Sequence, residues 1–209
     1  MEKDEIVIGE ILSGAKKLFG KHGLKKTTME DIAMAAGKGK STLYYYFPSK
    51  KEIFEAVVED EMKNVVRRIR EAVNASLTAQ NKLKAFLKTQ ITAIMGFHSF
   101  REVLFDDLVA SMRMLVCIKS RYEQIQIDMI REILLGGSQS GEFKEMTTAR
   151  INKASFVMVT AFRGLHFPLS VEFSELETQD CFDEIVDMLI AGIGNEESKK
   201  KSERSLSSN

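Results

Sequence analysis

Proline and cysteine are scarce in this chain, with two of each among 209 residues. Pro48 and Pro168 lie far apart, so long helices have room to run, and no segment alternates apolar and polar residues as a half-buried strand would. Cys117 and Cys181 have no neighbouring cysteine, which points to reduced core thiols and not to a disulfide framework. No run of eighteen apolar residues occurs, so no membrane span is expected. The acidic start, MEKDEIVIGEIL, lacks a basic segment followed by an apolar core; no secretory signal is expected, and the expected location is cytoplasmic. Also missing are a G-x-S-x-G elbow, a G-x-x-x-x-G-K-[ST] phosphate loop and an HExxH pair. Those absences argue against an enzyme. The close multi-ligand spacing of a zinc or iron site is absent too, so neither metal nor cofactor is expected.

What the chain does have is concentrated in residues 27–54, TTMEDIAMAAGKGKSTLYYYFPSKKEIF. Thr27 and Thr28 offer hydroxyls to the first free N–H groups of a helix starting near Met29, and Glu30 and Asp31 stand three residues further on, so a capping box closes in either phase. Met29, Ile32, Ala33 and Ala36 fall on one face, and Gly37 supplies the positive φ that ends a helix. A second short helix starts at Lys40-Ser41-Thr42 and stops at Phe47, because the residue before Pro48 is pushed out of helical geometry. Ser49 and Glu52 form another capping box, opening a long helix from Lys50 to about Ala75. Two short helices joined by a glycine-containing turn match the unit whose second helix enters the major groove of DNA. The chain as a whole is neutral, yet from Ala15 to Lys51 it carries nine lysines against two acids, Glu30 and Asp31. That asymmetry suits a polyanion.

The stretch from Ile8 to Phe54 resembles the DNA-binding domain of the TetR family of bacterial transcriptional regulators. The likeness rests on Ala15, Leu18-Phe19 and Gly23, then Thr27-Thr28, Asp31-Ile32-Ala33, Ala36-Gly37, Thr42-Leu43-Tyr44, Phe47 and Ser49-Lys50. Two positions depart from the pattern: Gly39 stands where a helix-capping residue is common, and Lys38 replaces an apolar residue of the turn. The resemblance implies an all-α homodimer. A three-helix DNA-binding domain would occupy residues 1–54, with the helix-turn-helix at about 28–47. A C-terminal helical bundle for regulation and dimerisation would occupy 55–195, followed by a polar tail, 196–209, too poor in apolar residues to order itself. It also implies a repressor released from a palindromic operator by a small apolar or amphipathic effector. Control by a protein partner, control by no ligand, and action as an activator stay open.

Lysines reach base edges, while hydroxyls and N–H groups at helix starts hold phosphates. The resemblance marks Thr42 and Tyr46 for contact with double-stranded DNA, Lys40 for base or phosphate, and Thr28 and Lys50 for phosphates at helix starts; Thr27, Lys38, Ser41 and Tyr45 complete the set. Tyr44 reads as core. Lys16, Lys17, Lys21, Lys25 and Lys26 read mostly as a solvated face.

Beyond the basic unit, helices are predicted at about 79–97, 101–117, 119–138, 147–167 and 175–193, with a turn at Gly136-Gly137 and Gly141-Glu142-Phe143. Methionine and phenylalanine recur in this body. Met95, Phe105, Met112, Met129, Met158 and Phe162, with His98 and His166, are candidate effector contacts, ordinary helical core being the alternative for each. The last two helices are apolar on more than one face and need cover on more than one side. Pairing with a second copy through Met158, Phe162, Leu165, Phe182, Ile185 and Leu189 would supply it, as would a fully intramolecular cover.

Overall fold

The computed structural model describes residues 2–95, 108–172 and 175–195. Among them are eight helices and no strand: α1 (Glu2–Lys26), α2 (Met29–Ala35), α3 (Lys40–Tyr46), α4 (Lys50–Asn74), α5 (Ala79–Met95), α6 (Leu108–Gln139), α7 (Thr148–Glu172) and α8 (Glu175–Ile193). The fold is all-α. The chain divides into two compact units; residues 50–64 of α4 belong to the first and 65–74 to the second.

The first unit is organised by the apolar stripe of α1. Ile11, Ala15 and Phe19 are fully buried, and Phe19 meets Phe54 of α4 edge-on with ring centroids 5.6 Å apart. Sequestering each such ring contributes roughly 1.5–3 kcal/mol. Gly23, at φ 80°, breaks the helical path near the end of α1. Gly14 lets α1 approach the end of α2 closely; a Cβ there would stand 3.1 Å from the Ala36 nitrogen.

In the second unit α5 packs on α7 and α8, burying Leu83, Phe86, Leu87 and Ile91. Lys84 reaches Asp187 at 2.6 Å and Lys88 reaches Asp183 at 2.8 Å, joining α5 to α8 at the rim. The Asp187 carboxyl is held below its usual range by the Lys84 ammonium. After α6 the chain turns at Ser140 and Gly141 and buries Phe143. There it ties to the end of α8: Lys144 N–H donates to the Ile193 carbonyl at 2.9 Å and Asn195 N–H to that of Glu142 at 3.0 Å.

Three expectations are corrected. Gly136 and Gly137 do not turn the chain; both lie inside α6. Gly137 is instead a site of close approach, since a Cβ would fall 2.1 Å from Cδ2 of Phe143. The break expected between 117 and 119 is absent, and α6 is continuous over its described length, there being no glycine or proline from Cys117 to Ser120 to stop it. Likewise α7 runs past Pro168 to Glu172. Proline removes one helical hydrogen bond, and a long helix survives that loss.

Candidate nucleic-acid interface

The turn between α2 and α3 is built from backbone hydrogen bonds. Gly37, at φ 64°, lets its own N–H reach the Met34 carbonyl at 3.1 Å while Lys38 N–H reaches that of Ala33 at 2.9 Å. This double closure is the Schellman arrangement, and it fixes the direction in which α3 leaves. The start of α2 is equally defined. Thr28 N–H donates to Oδ2 of Asp31 at 2.9 Å, and Asp31 N–H returns a bond to Oγ1 of Thr28 at 3.1 Å. The box therefore closes on Asp31 and not on Glu30. Those bonds hold the Asp31 carboxyl below its usual range, the Thr28 hydroxyl contributing most.

α3 begins without a side-chain cap, because Gly39 occupies the N-cap position. It is anchored from below by Leu43, fully buried, and by Phe47 just past its end. Its outer side presents Lys40, Ser41 and Tyr45, with Thr42 and Tyr46 half-buried. Tyr45 is 80% exposed and meets Tyr46 edge-on at 5.0 Å. Tyr44, read as core from the sequence, is 44% exposed; the helix is too short to bury more than the Leu43 face.

Two residues expected at the DNA are engaged elsewhere. Thr27 is 2% exposed, and its hydroxyl donates to the Gly23 carbonyl at 2.8 Å. Lys50 turns its ammonium to the backbone, donating to the carbonyls of Leu24 at 2.6 Å, Thr27 at 2.7 Å and Lys25 at 3.4 Å. It seals the end of α1 to the start of α4 with all three of its protons.

Three polar groups of the reading face, Lys38, Lys40 and Tyr46, are paired with acids. Lys40 is bound to Glu30, Lys38 to Glu10 at 2.5 Å, and the Tyr46 hydroxyl donates to Oδ1 of Asp4 at 2.6 Å. The Tyr46 bond holds the Asp4 carboxyl below its usual range and the Tyr46 phenol above its own. The Lys40 contact lowers the Glu30 carboxyl and raises the Lys40 ammonium. Sequence reasoning missed Asp4 and Glu10 because both precede the basic window; no helical spacing announces a pairing across 42 residues.

Three side chains of the candidate effector set lie among the described residues. Met129 is half-buried on α6, while Met158 and Phe162 are buried on α7. His98 and Phe105 lie outside the described residues, as do the side chains of Met95, Met112 and His166. The dimer set is divided as well. Phe162 and Phe182 stack at 6.0 Å, and they and Met158 are buried within the chain's own core. Ile185 and Leu189 are half-buried, and the side chain of Leu165 lies outside the described residues. The exposed apolar groups are their neighbours: Phe156 at 55% and Val157 at 58% on α7, and Met188 at 70% on α8. Of the stripe chosen from the sequence, Met158, Phe162 and Phe182 are covered by the chain itself.

The head and the whole chain both have counterparts among known proteins. A family model described as bacterial regulatory proteins, tetR family, matches residues 11–57. The HTH-type transcriptional repressor KstR2 of Rhodococcus jostii (strain RHA1) is 30% identical over 138 residues, which span 65% of this chain and 67% of that protein. A transcriptional regulator from Cytophaga hutchinsonii ATCC 33406 is similar in structure with a TM-score of 0.77 at 24% identity, over 93% of this chain and 100% of that one. The regulator FadR from Bacillus subtilis, solved in complex with stearoyl-CoA, gives a TM-score of 0.65 at 20% identity, over 88% of this chain and 98% of its own. With a capped helix, a Schellman turn and a short second helix lying inside the matched segment, the chain belongs to the tetR family of bacterial regulatory proteins.

Proposed function

We propose that this DNA-binding regulator is a homodimeric repressor that reads a palindromic operator with α3 and is released when an amphipathic molecule with a long apolar portion binds its second unit. The observation that carries the DNA reading is the outward row of α3, Lys40, Ser41 and Tyr45, held by the Gly37 turn above and by buried Leu43 below. Lys40 would contact base or phosphate, Ser41, Thr42 and Tyr46 would face the same groove, and Thr28 would lie at the backbone. The dimer would form through the exposed groups of α7 and α8, Phe156, Val157 and Met188, and would set two copies of α3 on two half-sites.

Two observations support an effector. The similar regulator FadR is a complex with stearoyl-CoA. In addition, the second unit buries an amide pair, Gln90 donating to Gln126 at 2.8 Å, whose Gln90 Oε1 has no hydrogen-bond partner among the described residues. An unmet buried oxygen is unfavourable by about 1–3 kcal/mol, and a ligand donor would relieve it. Because α4 contributes to both units, a shift of the second unit would reach the head through one continuous helix.

The test is anisotropy titration of the full chain against the intergenic duplex beside its own gene at two salt concentrations, followed by addition of stearoyl-CoA. Sequence-selective, salt-sensitive binding that the thioester reverses is the expected result. Binding that ignores sequence would remove the operator reading; selective binding unaffected by a panel of acyl thioesters and sterols would remove the effector.

A further inference from the structure

On the reading face, DNA must compete with the protein's own carboxylates. Tyr46 has one proton to donate, and Asp4 holds it at 2.6 Å. Lys40 is bound to Glu30, and Lys38 to Glu10 at 2.5 Å. The acids come from separate places: Asp4 from the first turn of α1, Glu10 from its middle, and Glu30 from the first turn of α2. All three are exposed, so their pairs contribute little to folding. A carboxylate oxygen and a phosphate oxygen are the same kind of acceptor for an ammonium or a phenol. Each acid thus offers the reading face the kind of acceptor that a backbone phosphate would offer. Once displaced, it would remain a negative charge within a Debye length of the duplex.

Resting on the reading of α3 as the DNA-facing helix, we infer that Asp4, Glu10 and Glu30 form an intramolecular latch that stands in for phosphate on the reading face and sets a ceiling on DNA affinity. The Tyr46 hydroxyl, with its single proton, bonds DNA only as its bond to Asp4 breaks, while Lys38 and Lys40 must divide their charge between carboxylate and phosphate. Non-specific binding, which is almost wholly electrostatic, is then weak for so basic a head. The nine lysines counted between Ala15 and Lys51 overstate its free charge. Lys16 is likewise paired, with Glu61 at 2.5 Å.

The test is a double-mutant cycle on the full-length protein, read by anisotropy of a fluorescein-labelled mixed-sequence duplex of about 30 base pairs, several helical turns and so ample for the head. Asp4→Asn and Glu30→Gln are each expected to tighten binding by about two- to fivefold, the scale of an exposed pair. The gain from Asp4→Asn is expected to vanish in a Tyr46→Phe background, and that from Glu30→Gln in a Lys40→Met background. Circular dichroism checks that each variant is folded. Equal gains with and without the partner would mean that only general charge is at work, and the latch is overturned. No gain from either acid, while Tyr46→Phe and Lys40→Met weaken binding, overturns the latch and leaves α3 as the reading helix. If those two variants bind as tightly as the parent, the reading of α3 falls and the latch with it.

Discussion

The ammonium of Lys50 sits 2.7 Å from the carbonyl oxygen of Thr27, and the same group spans to Leu24 at 2.6 Å. Hydrogen bonds from a charged donor contribute about 1.5–3 kcal/mol where they are sheltered, and these carbonyls lie where α1 ends, the place where a helix leaves its carbonyls without intrahelical donors. Lys50→Met is therefore expected to destabilise the head by an amount in that range and to lower the melting temperature. A phosphate-binding lysine would behave in the opposite way, leaving the melt alone and reducing the salt slope of DNA binding by about one. Thermal melting and salt titration of the same variant decide between the two.

What could be read from the sequence was local. Thr28 and Asp31 are three residues apart, Gly37 follows the last periodic alanine, and Ile11, Ala15 and Phe19 repeat at helical spacing. Each of these works through neighbours in the chain, so spacing alone reveals it. The intramolecular bonds of Lys50 and Tyr46 could not be read there because their partners are tertiary, 23 and 42 residues away. The α7 helix was illegible for a different reason. Phe156 and Val157 are as apolar as Met158 and Phe162, so composition does not say which side turns inward.

Gly136 and Gly137 are adjacent in α6 and should respond to alanine with opposite signs. A Cβ on Gly136 meets nothing within 4 Å, so Gly136→Ala gains helix propensity and is expected to stabilise by about 0.5–1 kcal/mol. A Cβ on Gly137 would collide with the buried ring of Phe143 and come within 2.8 Å of the Ala79 Cβ. Gly137→Ala is expected to destabilise by about 1–3 kcal/mol or more through overpacking. Urea denaturation of the pair measures both. A stabilised Gly137→Ala would show that Phe143 does not pack there.

The Thr28–Asp31 box makes the head sensitive to acid. Asp31 is more acidic folded than unfolded, so the unfolded chain binds its proton more readily. Its contribution is present above the ordinary aspartate value near pH 4 and is lost as pH falls through the depressed folded value. Asp31→Asn is expected to melt below the parent at pH 7 and to converge with it as pH falls through the depressed folded value. Thr28→Ala removes the cap itself, about 1 kcal/mol, at either pH. A gap between parent and Asp31→Asn that stays constant from neutral to acid would exclude the carboxylate as its source.

Phe162 and Phe156 lie six residues apart on α7 and should separate folding from assembly. Phe162 is buried against Phe182, so Phe162→Ala leaves a cavity and is expected to destabilise by about 3–5 kcal/mol. Phe156 is more than half exposed, and Phe156→Glu leaves the core intact. If the exposed groups of α7 and α8 form the two-fold contact, Phe156→Glu with Met188→Glu places unpaired charges inside an interface and yields a folded monomer. Light scattering after gel filtration reads the mass, and circular dichroism reads the fold. The monomer carries one α3, so its hold on a palindromic duplex should fall at least tenfold, because two linked half-sites bind far more tightly than one. A double variant that remains dimeric would move the contact away from this face and back to the alternative the apolar stripes left open, a chain whose last two helices are covered entirely by itself.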